Sequence, residues 1–207
     1  MTTDNFIINE IFEKDEYKLK TEFAIKPNDV VVDVGAQIGT FSLYCASKGA
    51  NVYAYEPMKP NYKLLLKNRG NNKFNNIRAF NLGLSSKKEV LRLFLSTNSG
   101  GHSIFNKSSK YQLITCITLK DVIDLNNLET IDLLKIDCEG AEYQMLFSTP
   151  MEYFNKIKTM IIEYHEFPSI TFKANDIKEF LTKLNFIIQE KKFENQPAGI
   201  LYVKAKK

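Results

Sequence analysis

From residue 29 onward, apolar positions recur in two alternating rhythms, short continuous runs and helical spacings, with glycine or proline at most of the joints. Val30-Val31-Val32 runs into a glycine loop, and Thr40 to Lys48 follows with Phe41, Leu43, Tyr44 and Ala46 on helical spacings. Asn51 to Glu56 predicts a second strand ended by Pro57, and Asn61 to Asn68 a helix that carries Leu64, Leu65 and Leu66 and stops near Gly70. Ile77 to Leu82 predicts a third strand that meets Gly83, Val90 to Leu95 alternates as a strand does, and Leu113 to Ile117 leads into a helical Leu119 to Ile123.

Ile131 to Cys138 is an almost continuous apolar run, the pattern of a strand buried on both faces. Ala141 to Phe147 predicts the next helix and Met160 to Tyr164 another buried strand. Asn175 to Leu184 is a helix opened by an Asn-x-x-Lys start, and Phe186 to Gln189 with Ile200 to Val203 can close the sheet as a terminal pair. Strands and helices alternate throughout, so the expected fold class is α/β, a largely parallel sheet with helices on both faces. Phe6 to Phe12 and Tyr17 to Ile25 are ambiguous between strand and helix. Residues 1–28 are therefore expected to form an N-terminal extension packed on one domain spanning 29–207.

Composition narrows the function classes. The 207 residues are 44% apolar, enough for one substantial core. Lys and Arg number 28 against 24 Asp and Glu, and the only compact basic cluster is Lys204, Lys206 and Lys207. A net charge of +4 without a basic face gives no sign of nucleic acid. Cys45, Cys116 and Cys138 are odd in number and far apart, which fits reduced core thiols rather than a disulfide framework. The start, Met1-Thr2-Thr3-Asp4-Asn5, is not a basic stretch followed by an apolar one, and no segment approaches the roughly 20 apolar residues of a membrane span. A cytoplasmic protein without a membrane partner is the expectation.

Four segments carry chemistry. In Asp33-Val34-Gly35-Ala36-Gln37-Ile38-Gly39, two glycines bracket a loop entering a helix, where backbone can approach a ligand and free N–H groups can face an anion. The Gly-x-x-x-Gly spacing does not meet the dinucleotide fingerprint, which disfavours an NAD-dependent oxidoreductase. Glu56-Pro57 puts a carboxylate at the end of the second strand, about 20 residues beyond the loop, where such a group accepts both hydroxyls of a ribose. Asp137, Glu139 and Glu142 follow the buried strand that contains Lys135, at the edge where open α/β sheets bind ligands. A capped helix, with Glu139 or Glu142 near its positive end, is the structural alternative. His165 ends the next strand and can take a proton from a hydroxyl. His102, in a polar glycine-containing loop from Ser96 to Ser103, is a candidate for substrate contact.

Together these segments, from roughly Asp29 to Phe167, resemble the FkbM family of class I methyltransferases. Asp33 to Gly39 looks like the family's Asp-x-Gly-Ala-Asn-x-Gly loop, with Gln37 where Asn is usual, and Lys135 to Glu142 looks like its Lys-Ile-Asp-x-Glu-Gly-x-Glu signature. The resemblance implies a seven-stranded, mostly parallel Rossmann-like sheet, S-adenosylmethionine as cofactor and O-methylation of a natural product, small metabolite or glycan. Carried onto this chain, it implies that Asp33, Gly35, Gln37 and Gly39 cradle the methionine end and that Glu56 with Pro57 holds the ribose. Gly83 and Leu84 then border the adenine, and Asp137 lies nearest the methyl. Asp137 is the expected group to orient or deprotonate the acceptor, with His165 second and His102, Glu139 and Glu142 as substrate contacts. Asp137 and Glu139 can hold a divalent cation only with a third ligand, which the spacing does not show, so no metal is expected. A nucleic-acid methyltransferase is the alternative, but no Asn-Pro-Pro-Tyr-like run follows the fourth strand. A nucleoside-binding protein without turnover is the other.

Overall fold

The computed structural model describes residues 15–94, 110–168 and 171–206. The segment Phe6 to Phe12 and the loop bearing His102 lie outside them. Among the described residues, ten strands and six helices follow one another as β1 Val30–Val34, α1 Thr40–Ser47, β2 Asn51–Tyr55, α2 Lys59–Asn71, β3 Ile77–Phe80, β4 Gly83–Leu84, β5 Glu89–Phe94 and β6 Tyr111–Ile117. Then come α3 Leu119–Leu125, β7 Ile131–Ile136, α4 Glu142–Ser148, α5 Met151–Phe154, β8 Ile157–His165, α6 Ala174–Lys183, β9 Phe186–Lys192 and β10 Ala198–Ala205.

Seven strands form the main sheet in the order β3-β2-β1-β7-β8-β10-β9, and a smaller sheet pairs β4-β6-β5. Neighbours from β3 to β8 are parallel. β10 is antiparallel to both β8 and β9, so the terminal pair expected from the sequence does close the sheet. This is the mostly parallel, seven-stranded Rossmann-like sheet that the resemblance implies. No helix of the described residues is long and apolar enough to cross a membrane.

Period-two alternation assigns each central strand's residues to two cores. Val32, Leu134, Ile162 and Leu201 point to a face covered by α3, α4 and α6, whose Val122, Leu146 and Ile177 complete that cluster. Val31, Leu133, Ile161 and Ile200 point to the other face, covered by Phe41 and Tyr44 of α1, Leu65 of α2, and Tyr17, Leu19 and Phe23 from the segment before β1. Buried hydrocarbon on both sides at about 25 cal/mol per Å² is the main force holding the layers together.

Local signals explain the boundaries and some departures from expectation. α3 begins with a reciprocal cap, Asp121 N–H donating to Thr118 Oγ1 and Thr118 N–H to Asp121 Oδ2, both at 3.0 Å. At α6 the cap is made by Asp176, whose carboxylate accepts from Lys173 N–H at 2.7 Å, rather than by Asn175. α2 runs through Gly70 to Asn71, since a glycine near an exposed helix end costs only about 1 kcal/mol. β3 stops at Phe80, short of the expected Leu82, and Gly83 and Leu84 pair with Cys116 and Ile117 of β6.

Candidate active site

The alternation that builds the cores also sorts the charges. Two residues beyond Val31, Leu133 and Ile161 on the same face stand Asp33, Lys135 and Glu163, and two further stand Gly35, Asp137 and His165. The register sets Asp33 beside Lys135 and Lys135 beside Ile161. Apolar side chains therefore give way to an ionic column at the carboxyl ends of three adjacent strands, the edge where doubly wound sheets hold ligands.

Lys135 organises this column. It is 4% exposed; its Nζ lies 3.2 Å from Asp137 Oδ2 and 3.7 Å from Asp33 Oδ1, and donates to the Gly35 carbonyl at 3.2 Å. Burial works against its charge, but Asp137 and Asp33 outweigh burial and hold the ammonium protonated well above the usual lysine range. Asp33 is fully buried, with Oδ2 accepting from Ser42 Oγ at 2.6 Å. Burial pushes its carboxyl up, against the pull of Lys135.

The loop from Gly35 to Gly39 folds under tight constraint. Gly35 has φ +79°, and a Cβ there would stand 1.8 Å from the Asp137 carbonyl oxygen, so only glycine lets β1 and β7 close at this point. Gly39, at φ +90°, leads into α1. Gln37 has φ 51°, the left-handed geometry that suits Asn better than Gln, and its buried amide Oε1 and Nε2 have no hydrogen-bond partner among the described residues. Glu56 faces this loop, 4% exposed, its Oε2 accepting from Gln37 N–H at 2.8 Å and its Oε1 from Met58 N–H at 2.7 Å. Burial pushes the Glu56 carboxyl up to about 7, although both backbone donors and Lys135 favour the anion. Pro57 follows, its carbonyl accepting from Asn81 Nδ2 at 3.0 Å. Gly83 and Leu84 are buried in the small sheet, Gly83 against Pro57 and Cys116.

Across from the loop, Asp137, Glu139, Glu163 and His165 keep 27, 23, 21 and 13% of their side-chain surface open, so a ligand can reach them. Glu142 differs: it is wholly buried, Oε2 accepting from Gly140 N–H at 2.8 Å and Oε1 from His165 N–H at 2.7 Å. Expected beside the substrate, it lies instead within the protein, where it ties the loop after β7 to the end of β8. His165 Nδ1 stands 3.4 Å from Glu142 Oε1 in poor alignment, while Nε2 faces Glu139 at 3.7 Å and Glu163 at 3.8 Å. Burial opposes the imidazolium, but Glu142, Glu139 and Asp137 together raise the His165 pKa to about 10. Burial lifts Glu139 to about 7 against the attraction of His165. Among the described residues a different trio from the expected Asp137–Glu139 pair could hold a metal ion, since Asp137, Glu163 and His165 can offer ligand atoms all within 4.8 Å of one another and Glu139 is not one of them.

Lys135 and Glu163 were not singled out as site residues in the sequence, although a charged residue inside an apolar strand run is the signal that finds both. Tyr17 donates to Glu163 Oε2 at 3.2 Å, and the ambiguous pattern around it gives no such signal. His102 lies outside the described residues.

These pKa values predict a pH dependence. Glu56, Glu139 and His165 all bind protons more tightly folded than unfolded, so stability contributed below their unfolded values is lost as pH rises through their folded ones. The melting temperature of the ligand-free protein is expected to fall steadily from about pH 5 to about pH 9. A flat or rising profile by calorimetry across that range contradicts the carboxylate crowding described.

Residues 33–188 match the family model described as Methyltransferase FkbM domain. The chain is 29% identical over 196 residues to methyltransferase sdnD of Sordaria araneosa, covering 78% of this chain and 74% of that protein. It is 27% identical over 155 residues to the hexuronic acid methyltransferase AglP of Haloferax volcanii, covering 74% of this chain and 62% of that protein. It is 26% identical over 195 residues to the 31-O-demethyl-FK506 methyltransferase FkbM of Streptomyces tacrolimicus, covering 78% and 74%. Among solved structures, methyltransferase FkbM from Methylobacillus flagellatus superposes with a TM-score of 0.58 at 20% identity, over 85% of this chain but only 43% of that one. A Streptococcus mutans methyltransferase in complex with SAH superposes with a TM-score of 0.54 at 11% identity, covering 91% and 96%. With the strand order, the glycine loop and the column behind it all in place, the chain belongs to the FkbM family of methyltransferases.

Proposed function

We propose that this methyltransferase moves a methyl group from S-adenosylmethionine to an oxygen of a small-molecule or glycan acceptor. The observation that carries the reading is the pairing of an open-handed cradle with a reachable proton-accepting cluster at one sheet edge. Gln37 offers a buried amide without a partner among the described residues, and Glu56 a buried carboxylate whose oxygens each retain a lone pair beyond their backbone donors. Ribose hydroxyls supply the donors that Glu56 lacks, and an amino-acid end supplies partners for Gln37. The SAH complex of the Streptococcus mutans neighbour supports a nucleoside-sulfur ligand on this fold. The names of the Haloferax and Streptomyces relatives support a sugar acid or a hydroxyl-bearing product as the kind of acceptor.

Bound S-adenosylmethionine supplies an electrophilic methyl on a sulfonium. The chain's part is to align an acceptor oxygen in line with it and to take the oxygen's proton. Asp137, paired with Lys135 Nζ at 3.2 Å, orients the hydroxyl. His165 is already protonated at neutral pH in the ligand-free protein, so Glu139, with its carboxyl near 7 and His165 behind it, is the better-matched proton acceptor.

Titration calorimetry tests the cofactor half of this reading. Glu56→Ala is expected to weaken S-adenosylmethionine binding by about 1–3 kcal/mol, the effect of leaving ribose hydroxyls without a charged acceptor. Wild-type binding near neutral pH is expected to release protons, because donated hydroxyls stabilise the Glu56 anion. Unchanged affinity in the variant, with no buffer-dependent heat in the wild type, sinks the ribose role. Methyl incorporation into an array of hydroxylated metabolites and oligosaccharides, read by mass spectrometry, tests the acceptor half.

A further inference from the structure

Tyr17 is 6% exposed and lies far in sequence from the catalytic edge, yet its hydroxyl donates to Glu163 Oε2 at 3.2 Å. Its ring meets Phe41 edge-on at 5.7 Å between centroids, and Phe41 begins the helix that leaves the glycine loop. The neighbouring residue is fixed as well: the Glu16 carbonyl accepts from Tyr202 Oη at 2.6 Å, and its carboxylate pairs with Lys191. The segment before β1 is thus tied to β8, β9, β10 and α1 on the face that carries the ionic column.

Glu163 has one oxygen toward Tyr17 and the other, Oε1, 3.8 Å from His165 Nε2. A glutamate side chain has several staggered rotamers, and here Lys135, His165 and open solvent all compete for its charge. A phenol donating to a carboxylate is a charge-assisted, directional contact that selects one of them.

Resting on the reading that the acceptor meets the methyl at this edge, we propose that Tyr17 is a positioning residue of the acceptor site. Its hydroxyl fixes the Glu163 carboxylate so that Oε1 faces His165, and the segment before β1 thereby contributes a residue to the site rather than only leading into the domain.

Tyr17→Phe keeps the ring and its packing on Phe41 while removing only the hydroxyl. It is expected to lower kcat about tenfold with KM for S-adenosylmethionine and the melting temperature close to wild type, the effect of one hydrogen bond to a charged group. Glu163→Gln should lower kcat comparably, and the double variant should be no worse than the poorer single, since both break one linkage. The chain has two histidines, so the His165 imidazole carbon resonance is assigned by its disappearance in His165→Gln. That resonance should move in Tyr17→Phe at constant pH. Unchanged kcat with an unmoved resonance, or losses that multiply in the double variant, overturns the proposal. If the wild type methylates no hydroxyl acceptor, the methyl-transfer reading has failed instead. The resonance then decides on Tyr17 alone, its shift supporting the linkage and its constancy refuting it.

Discussion

Asp137→Asn is expected to cut turnover by about 10²–10⁴-fold while the affinity for S-adenosylmethionine stays within about tenfold of wild type. The amide keeps the size and one acceptor oxygen of the carboxylate, so Lys135 retains a partner at the position of Oδ2 and the Gly35 loop keeps its contact with the Asp137 backbone. What is lost is the negative charge facing the acceptor from a site that is about a quarter open. Binding by calorimetry and turnover by mass spectrometry should therefore separate. Parallel loss of both would make Asp137 a cofactor or structural residue and leave the Glu139–His165 pair to orient the acceptor as well as to take its proton. Wild-type turnover that disappears with a chelator and returns with a divalent ion would give Asp137, Glu163 and His165 a ligand role instead.

Lys135→Met is expected to lower stability by about 3–5 kcal/mol near neutral pH, the usual result of stripping the partner from a buried charge. Asp33 has no surface exposed, and beside Lys135 the Ser42 hydroxyl donates to its carboxylate. The loss should shrink at mildly acidic pH, because burial already favours a protonated Asp33 and removing the lysine favours it further. Adding Asp33→Asn should restore much of the stability by removing the orphaned charge. Urea unfolding of the single and double variants at two pH values checks both statements. A single variant as stable as wild type would show that the column carries no net electrostatic weight.

The strand order was legible because buried parallel strands leave long apolar runs, and Ile131 to Cys138 or Val30 to Val32 read as such without help. The small sheet was not, since β4 is two residues long and pairs with a strand more than thirty residues away. In the site, the glycine loop and Glu56 were visible because backbone geometry and strand ends leave local marks. Glu142 was misplaced because a carboxylate after a strand looks the same in sequence whether it faces a ligand or, as here, two backbone N–H groups. The Tyr17 contact was invisible for a different reason: it joins residues 146 apart, and no local periodicity encodes such a meeting.

The place of β10 has a consequence for how the chain comes to be folded during synthesis. Residues 198–205 are among the last of the described chain to be made, yet they lie between β8 and β9 with Ile200, Leu201 and Val203 entirely enclosed. Until they emerge, β8 has an open edge of nine residues, rich in isoleucine and already carrying Glu163 and His165. A nascent chain at that stage presents an unpaired hydrophobic strand, the kind of edge that invites pairing with another molecule. Closure of the sheet beside Glu163 and His165 thus follows the synthesis of β10 rather than that of β8 itself.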